Sequence, residues 1–499
     1  MPEVMDQYYR FIQKIADIQT SDKDEFVQIT DDPDGGINIR ISKIDKDGNL
    51  SKQLMNKTYE RGLTKEVRLF VRNGNDSIVI NNQTSNIKLR LIGGDNKKSY
   101  NVIASKNRVN LYDKQNNSAF YGDAARLKKH ISDDSLNTAF VPVNLYNIWM
   151  PIVLFGLNFD DGFLVSAGFR HIRQEGFRKS PYASMHQFQA GYYFSTGAYR
   201  MRYTGEWLHT LGKADFTLRA TANAPNNTTN FFGLGNESVY EKTGDHKRYY
   251  RTRFSTYLVD PAIRFRKSAR SSFSIGPALY VYFFNQEDNK GRFIENEGLI
   301  GSYDSVTVEK EKWHVGLVAE YTRDKRSNIV FPQWGTYINV KLQAYNGVND
   351  YAKSFAQLST ELAMYKGLNP RSTIVVAERI GGVIGFGEAA FYQSAYIGGH
   401  ENLLGYRQYR FAGKHSFYNN FELRIKLADI ASYIIPGQFG IRGLWDIGRV
   451  WVKDDNSSKW HNGIGGGIYF APASVVALSF VVAHSGEGLY PYFTMGLRF

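Results

Sequence analysis

Residues 214–223 read ADFTLRATAN, and there Ala214, Phe216, Leu218, Ala220 and Ala222 alternate with Asp215, Thr217, Arg219, Thr221 and Asn223. A period of two sends the two sets to opposite faces of an extended strand. Residues 337–346, YINVKLQAYN, repeat the pattern, with Ile338, Val340, Leu342 and Ala344 set against Asn339, Lys341 and Gln343. In a soluble sandwich the apolar face is core and the polar face meets water, whereas in a membrane barrel the two faces meet lipid and lumen. Periodicity alone leaves both open.

Three features beyond this stretch favour the barrel. About sixteen strand candidates lie between residue 150 and residue 499, an even number of the kind outer-membrane barrels use. Short turns such as STGAYR (195–200) and LGKAD (211–215) alternate with long polar loops such as residues 285–312. The last residues, YPYFTMGLRF (490–499), read as a strand whose Phe493, Met495, Leu497 and Phe499 share one face. The fold class predicted is therefore all-β: a 16-stranded antiparallel transmembrane β-barrel over 148–499, preceded by a small soluble β-domain with one amino-terminal helix.

Composition agrees with this reading and excludes others. Aromatic residues make up 15% of the 499, with 33 Tyr and 33 Phe, which suits the aromatic girdles of membrane barrels. The mean hydropathy of -0.39 is no objection, because alternation with lumen-facing residues dilutes the apolar signal. No run of about 18 apolar residues offers a transmembrane helix. Basic residues exceed acidic ones by 13, but they are scattered through strand-like segments, so no nucleic-acid partner is expected. Cysteine is absent, which removes disulfides and thiolate chemistry. The ten histidines are dispersed with no pair at ligand spacing beside a carboxylate cluster, so neither metal nor cofactor is expected. GIGGGIYF (463–470) is glycine-rich, yet strand alternation and no helix comes after it, unlike a phosphate-cradling loop. Its glycines let a strand bend or lie close to a folded loop. No nucleophile motif is present, and no enzymatic activity is expected.

At the amino terminus Met5, Tyr8, Ile12 and Ile15 fall three and four apart, which predicts an amphipathic helix over residues 4–19, within a 1–20 segment, packed on the adjoining β-domain. Residues 21–115 predict that small β-domain, of about seven strands, among them FVQIT, INIRISKI, EVRLFVR and IKLRLIGG. The intervening DDPDGG, DKDGN, NGND and GGDN read as hairpin turns in preference to a calcium nonapeptide repeat. Residues 116–147 read as a linker. The first twenty residues lack the basic and apolar regions of a secretory signal, so an outer-membrane location implies a mature form or the later part of a longer chain.

Four passages together carry a family resemblance. YTRDKRSNIVFPQWGTYINV (321–340) resembles an eighth-to-ninth strand hairpin with a Pro-x-x-Gly turn, here Pro332 to Gly335. YIGGHENLLGYRQYRF (396–411) resembles a sixth extracellular loop; NNFELRIKL (419–427) resembles the next strand, with Glu422; GLWDIGRVW (443–451) resembles the thirteenth, with Asp446 and Gly448. Their order and spacing are those of the BamA/TamA-type outer-membrane insertase and translocase superfamily, the bacterial surface antigen barrels. NFFGLGNES (230–238) is similar to the branch of that family fused behind a calcineurin-like phosphoesterase, whose metal motifs are absent from this sequence.

The resemblance implies a bacterial outer-membrane protein that assists insertion or translocation of outer-membrane or surface proteins, with its small β-domain in the periplasm. Implied partners are outer-membrane lipid and lipopolysaccharide, client barrel proteins and assembly-complex subunits. It also implies a weak seam between the first strand, IVLFGLNFDD (152–161), and the last. The family's tandem POTRA domains are not readable in residues 1–145. Two other readings are a barrel that anchors a phosphoesterase or other module, and a passive channel.

The resemblance assigns the lid loop to Gly398, Gly399, Leu404, Gly405, Tyr406, Arg407 and Arg410, and its lumenal partners to Glu422, Arg442, Asp446 and Gly448. In the family an Arg-Gly-Phe/Tyr arginine at the loop tip sits between the two carboxylates; this sequence has Leu404 there. Arg407, Arg410 and Arg442 are the candidates to replace its charge, with Arg442 expected to serve Asp446 because residues four apart on a strand face one side. On that expectation, Leu404→Arg stiffens the loop against Glu422 and Asp446.

Overall fold

The structure, a computed structural model, describes residues 2–142, 146–158, 162–174, 176–177, 179, 181–433, 435–453, 455–472, 476–497 and 499. Two compact units divide it, Met1–Pro142 and Val143–Phe499.

In the first unit helix α1 (Pro2–Gln13) is followed by β1 (Ile15–Gln19), β2 (Glu25–Asp31), β3 (Ile37–Ile44), β4 (Leu50–Tyr59), β5 (Glu66–Phe70) and β6 (Asp76–Asn82). Then come β7 (Lys88–Ile92), β8 (Lys98–Ser105), β9 (Val109–Asp113), β10 (Ser118–Gly122) and β11 (Leu127–Ile131). One sheet runs β1-β5-β7-β9-β11, all parallel, and the other β10-β8-β6-β2-β3-β4. From β5 onward successive strands alternate between the sheets, so the chain winds as a solenoid. Glu66 lies beside Lys88 and Asp76 beside Lys98. Inward residues stack in ladders: Ile18, Leu69, Leu91 and Leu111 from one sheet face Val27, Ile78 and Tyr100 from the other, all buried.

This corrects several expectations. The helix ends at Gln13, and Ile15–Gln19 joins a sheet; Met5, Tyr8 and Ile12 stay exposed and do not pack on the sheets. DDPDGG and DKDGN close antiparallel hairpins between β2, β3 and β4. NGND and GGDN instead pass the chain from one sheet to the other. Glycine is required there by close approach: a Cβ on Gly74 would sit 2.0 Å from the Lys23 carbonyl oxygen, and one on Gly94 2.2 Å from that of Arg72. The expected linker contains β10 and β11, the terminal strands of the two sheets; its residues 143–145 lie outside the described residues.

At one corner of the solenoid Asp76 and Lys98 form a fully buried ion pair, 3.0 Å apart, and the Glu25 N–H donates to Asp76 Oδ1 at 3.0 Å. Burial outweighs Lys98 and pushes the Asp76 carboxyl up to about 6. A folded pKa above the unfolded one gives stability that is full below the ordinary value of 3.8 and is lost as pH rises through about 6. Between about pH 4 and pH 7 the wild-type solenoid is expected to lose on the order of 2 to 3 kcal/mol relative to Asp76→Asn. Urea-dependent pulse proteolysis of the full chain at the two pH values measures this, and a difference independent of pH contradicts it.

The second unit is an antiparallel barrel of sixteen strands. They are β12 (Ile148–Asn158), β13 (Gly162–Arg173), β14 (Ser184–Tyr193), β15 (Ala198–Leu211), β16 (Ala214–Asn230), β17 (Arg251–Ser268), β18 (Ser271–Phe284) and β19 (Lys312–Asp324). After β20 (Gly335–Gly347), β21 (Phe355–Gly367) and β22 (Ile374–Gly387), a two-stranded ribbon intervenes, β23 (Ala395–Ile397) with β24 (Phe411–Gly413). The wall resumes with β25 (His415–Ile430), β26 (Gly437–Trp451), β27 (His461–Pro472), β28 (Leu478–Ser485) and β29 (Gly488–Met495). The strand order places residues 321–340 on the eighth-to-ninth hairpin and the ribbon between the eleventh and twelfth strands, as the motifs required.

Alternation assigns the faces: Val315 and Leu317 are exposed outside while His314 is buried inside. At the long-loop end the loops share an apolar core in which Phe231, Phe254, Tyr282, Phe293 and Phe391 are buried. Lys312 and Asp304 are buried beside it as an ion pair at 3.3 Å. At the short-turn end residues 325–334 fold inward, and Phe331 packs with Tyr469, Ala471 and Ala477.

The last strand departs from expectation. Phe493 and Met495 are exposed on the outer face, but β29 ends at Met495 and Gly496 adopts φ +119°. Leu497 then packs beside Phe331 and Tyr469, and Phe499 is buried among Ala363, Tyr365 and Ala377 in the lumen. The left-handed turn at Gly496 breaks the strand parity that would have kept all four residues on one face. Residues 159–161 of the predicted first strand and Arg498 of the last lie outside the described residues.

Candidate functional site

The loop between β22 and β25 enters the barrel, and its tip rests on the inner faces of β26, β27, β28 and β29. Gly398, Gly399 and Gly405 take φ +131°, +76° and +82°, conformations that side chains disfavour. The wall makes room with glycines of its own. A Cβ on Gly463 would lie 1.9 Å from the Leu404 carbonyl oxygen, and one on Gly448 2.9 Å from that of Phe417 and 3.2 Å from Ile397 Cδ1. Close approach to the loop, one of the two roles expected of the GIGGG run, is thus visible at Gly463.

Leu404 occupies the tip without a charge. Its side chain is buried with Leu444, Val481, Ala483, Tyr490 and Tyr492. Its backbone N–H donates to Asp446 Oδ2 at 2.7 Å, in a buried position. The Gly405 N–H donates to the Tyr492 hydroxyl at 3.2 Å, that hydroxyl donates to the Tyr406 carbonyl at 3.2 Å, and Ser485 Oγ donates to the Gly405 carbonyl. Tyr406 is buried with Ile397, Leu403, Phe411 and Val450.

Two of the candidate cations, Arg410 and Arg442, bond elsewhere than Asp446. Arg410 donates to Glu487 at 2.6 Å and to the Ser238 hydroxyl and carbonyl at 2.8 and 2.7 Å, with its guanidinium over the Phe411 and Phe232 rings. Arg407 is fully buried. Arg442 serves Glu422, at 2.7 Å, and Ser479 at 2.9 Å, correcting the expected pairing with Asp446. Shared facing was read correctly but reach was not, since four residues of strand separate their Cα atoms by ~13 Å. Arg424, directly opposite Arg442 in the register, completes the group with a 2.6 Å bond to the other Glu422 oxygen. Glu422 is thus held between two wall arginines.

Backbone groups of the loop also meet charged side chains of the wall. The Leu404 N–H donates to a wall carboxylate, Asp446, while a wall arginine, Arg379, donates to the loop carbonyl of Glu401. Asn420 joins these parts, accepting from Arg379 at 3.0 and 2.8 Å and donating to the Asn402 carbonyl at 2.8 Å. The Arg379 guanidinium also lies 4.8 Å from the Phe499 ring centroid. Pro332 of the short turn caps Arg424 through its carbonyl at 2.8 Å, and Gly335, at φ +115°, lets that turn approach Lys325. Sequence reasoning missed Arg379, Asn420, Arg424, Ser485 and Tyr492. A usable signal existed for Arg424, whose parity on β25 is that of Glu422.

NFFGLGNES belongs to the same assembly. Asn236 exchanges both hydrogen bonds with the Val450 backbone, at 2.7 and 3.0 Å, and the Gly235 N–H donates to the Ala412 carbonyl of the ribbon at 2.8 Å. Among the described residues no group of three or more His, Asp or Glu side chains is placed to hold a metal ion.

Comparison with known proteins decides the family: the Omp85 superfamily domain matches residues 188–474. The chain belongs to the Omp85 superfamily. Among solved structures, BamA from Haemophilus ducreyi lacking POTRA domains 1–3 is similar at 14% identity, over 70% of each chain, with a TM-score of 0.51. CdiB from Escherichia coli matches at 10% identity over 75% of this chain and 66% of that one, TM-score 0.44. CdiB from Acinetobacter baumannii matches at 12% over 71% and 60%, TM-score 0.43. No match was found among curated protein sequences. The likeness to BamA is one of fold, and the Omp85 assignment agrees with the family resemblance read from the motifs.

Proposed function

We propose that this Omp85 barrel resides in a bacterial outer membrane, with the solenoid in the periplasm, and assists insertion or translocation of outer-membrane or surface proteins. Client strands, assembly subunits, lipid and lipopolysaccharide are its partners on this reading. The observation that carries it is the seam. β12 pairs with β13 without interruption from Ile148↔Ile172 to Asn158↔Gly162, whereas its described register with β29 is the single pair Leu157↔Phe493. Described edge residues outside that pair present backbone donors and acceptors to which a client strand adds.

The absence of cysteine provides a clean test. Leu157→Cys with Phe493→Cys, oxidised in the membrane, is expected to join β12 to β29 and abolish client assembly, and reductant is expected to restore it. Unchanged assembly in the oxidised form overturns the seam reading and leaves the barrel as an anchor for another module.

A further inference from the structure

One acidic residue faces the wrong way for a barrel in lipid. On β22 the inward positions Val375, Ala377 and Arg379 are buried, and Glu378 shares the outward parity of Ile374, Val376, Ile380, Ile384 and Phe386. It thus sits within the apolar band, with apolar outward positions on both sides along its strand. Its register neighbours, Met364 on β21 and Phe421 on β25, are apolar as well. Asn419 is a second polar residue on this face, and its Nδ2 donates to Glu378 Oε1 at 2.7 Å. Around the pair the outer wall is hollowed into a groove of about 730 Å³ lined by Phe417, Phe421, Trp445, Ile447 and Trp460.

A carboxylate at the lipid-facing surface of a membrane barrel is costly unless a donor meets it. One amide N–H satisfies a fraction of a carboxylate's capacity. We propose that this groove is a lateral docking site for a membrane-spanning segment of a partner protein that presents an ammonium or guanidinium group to Glu378. The depth favours a protein segment over a lipid headgroup. Ile374 and Val376 separate Glu378 from the short-turn end of the strand, and Ile380, Gly382, Ile384 and Phe386 from the other. A headgroup stays at the interface, whereas a spanning strand or helix carries a basic side chain into the band. The aromatic lining supplies a large contact area, and tryptophan faces hold cations.

The inference rests on the outer-membrane reading, and the test keeps the two apart. A photo-crosslinking residue replaces Met364 in the full chain, expressed in its own host, with Glu378 intact or changed by Glu378→Gln. Outer-membrane fractionation and heat-modifiable migration are measured for both proteins, and failure of either with Glu378 intact refutes the membrane reading itself. With both normal, the expected result is one protein adduct, mapped by mass spectrometry to a spanning segment within a few residues of Lys or Arg, and reduced at least about fivefold by Glu378→Gln. Adducts with lipid alone, with a second copy of this chain, or of equal yield in Glu378→Gln overturn the proposal.

Discussion

Glu422→Ala is expected to destabilise the barrel by about 3 to 5 kcal/mol, the range for removing one partner from a buried charge group. The reason lies in what it leaves behind. Arg424 and Arg442 are directly opposed on β25 and β26, both are buried, and each donates to a different Glu422 oxygen at 2.6 and 2.7 Å. Without the carboxylate, two guanidinium groups face each other in a closed lumen. Urea titration in lipid vesicles, read by heat-modifiable migration, measures the loss. Replacing all three by apolar residues (Glu422→Leu, Arg424→Met, Arg442→Met) is expected to recover part of it. The recovery is partial because Arg424 also holds the Pro332 carbonyl and Arg442 the Ser479 hydroxyl. A single variant as stable as the wild type contradicts this account.

Leu404→Arg is expected to loosen the lid, opposite to the expectation drawn from the sequence. The family resemblance implies an arginine at this point, but the Leu404 side chain here points among Leu444, Val481 and Tyr492, and Arg442 lines the same small cavity. A guanidinium there is desolvated beside a like charge, at a cost of about 3 kcal/mol or more. Asp446 is engaged by the Leu404 backbone N–H, and Glu422 by its two arginines. Limited proteolysis between residues 398 and 411 is expected to speed up by at least about tenfold. Cleavage as slow as in the wild type indicates that the pocket accepts a charge.

The sequence exposes some parts of this structure and hides others. Barrel strands are legible because each carries its own period-two signal and a nearby turn. The four motif passages fix the strand count from the eighth strand onward. The solenoid is not legible in the same way, because the strands that pair in it are separated by a full coil and its corners look like hairpin turns. Gly74 and Gly94 were visible as turn residues, but the reason for them is the carbonyl of the coil beneath. The lid lock is half hidden for a different reason. Its key bonds use the Leu404 N–H and the carbonyls of Glu401 and Pro332, and backbone groups leave no mark in a residue pattern. Parity placed Arg442 on the correct face and could not supply its partner.

The solenoid has a consequence for how this protein can change. Glu66 meets Lys88, and Asp76 meets Lys98, one winding later. Each winding touches only its neighbours, so duplicating or deleting one alters the length of the unit while leaving both ends intact. The domain is a ruler whose graduations can be added or removed whole, and related chains can differ in reach by complete windings without rebuilding anything at either end.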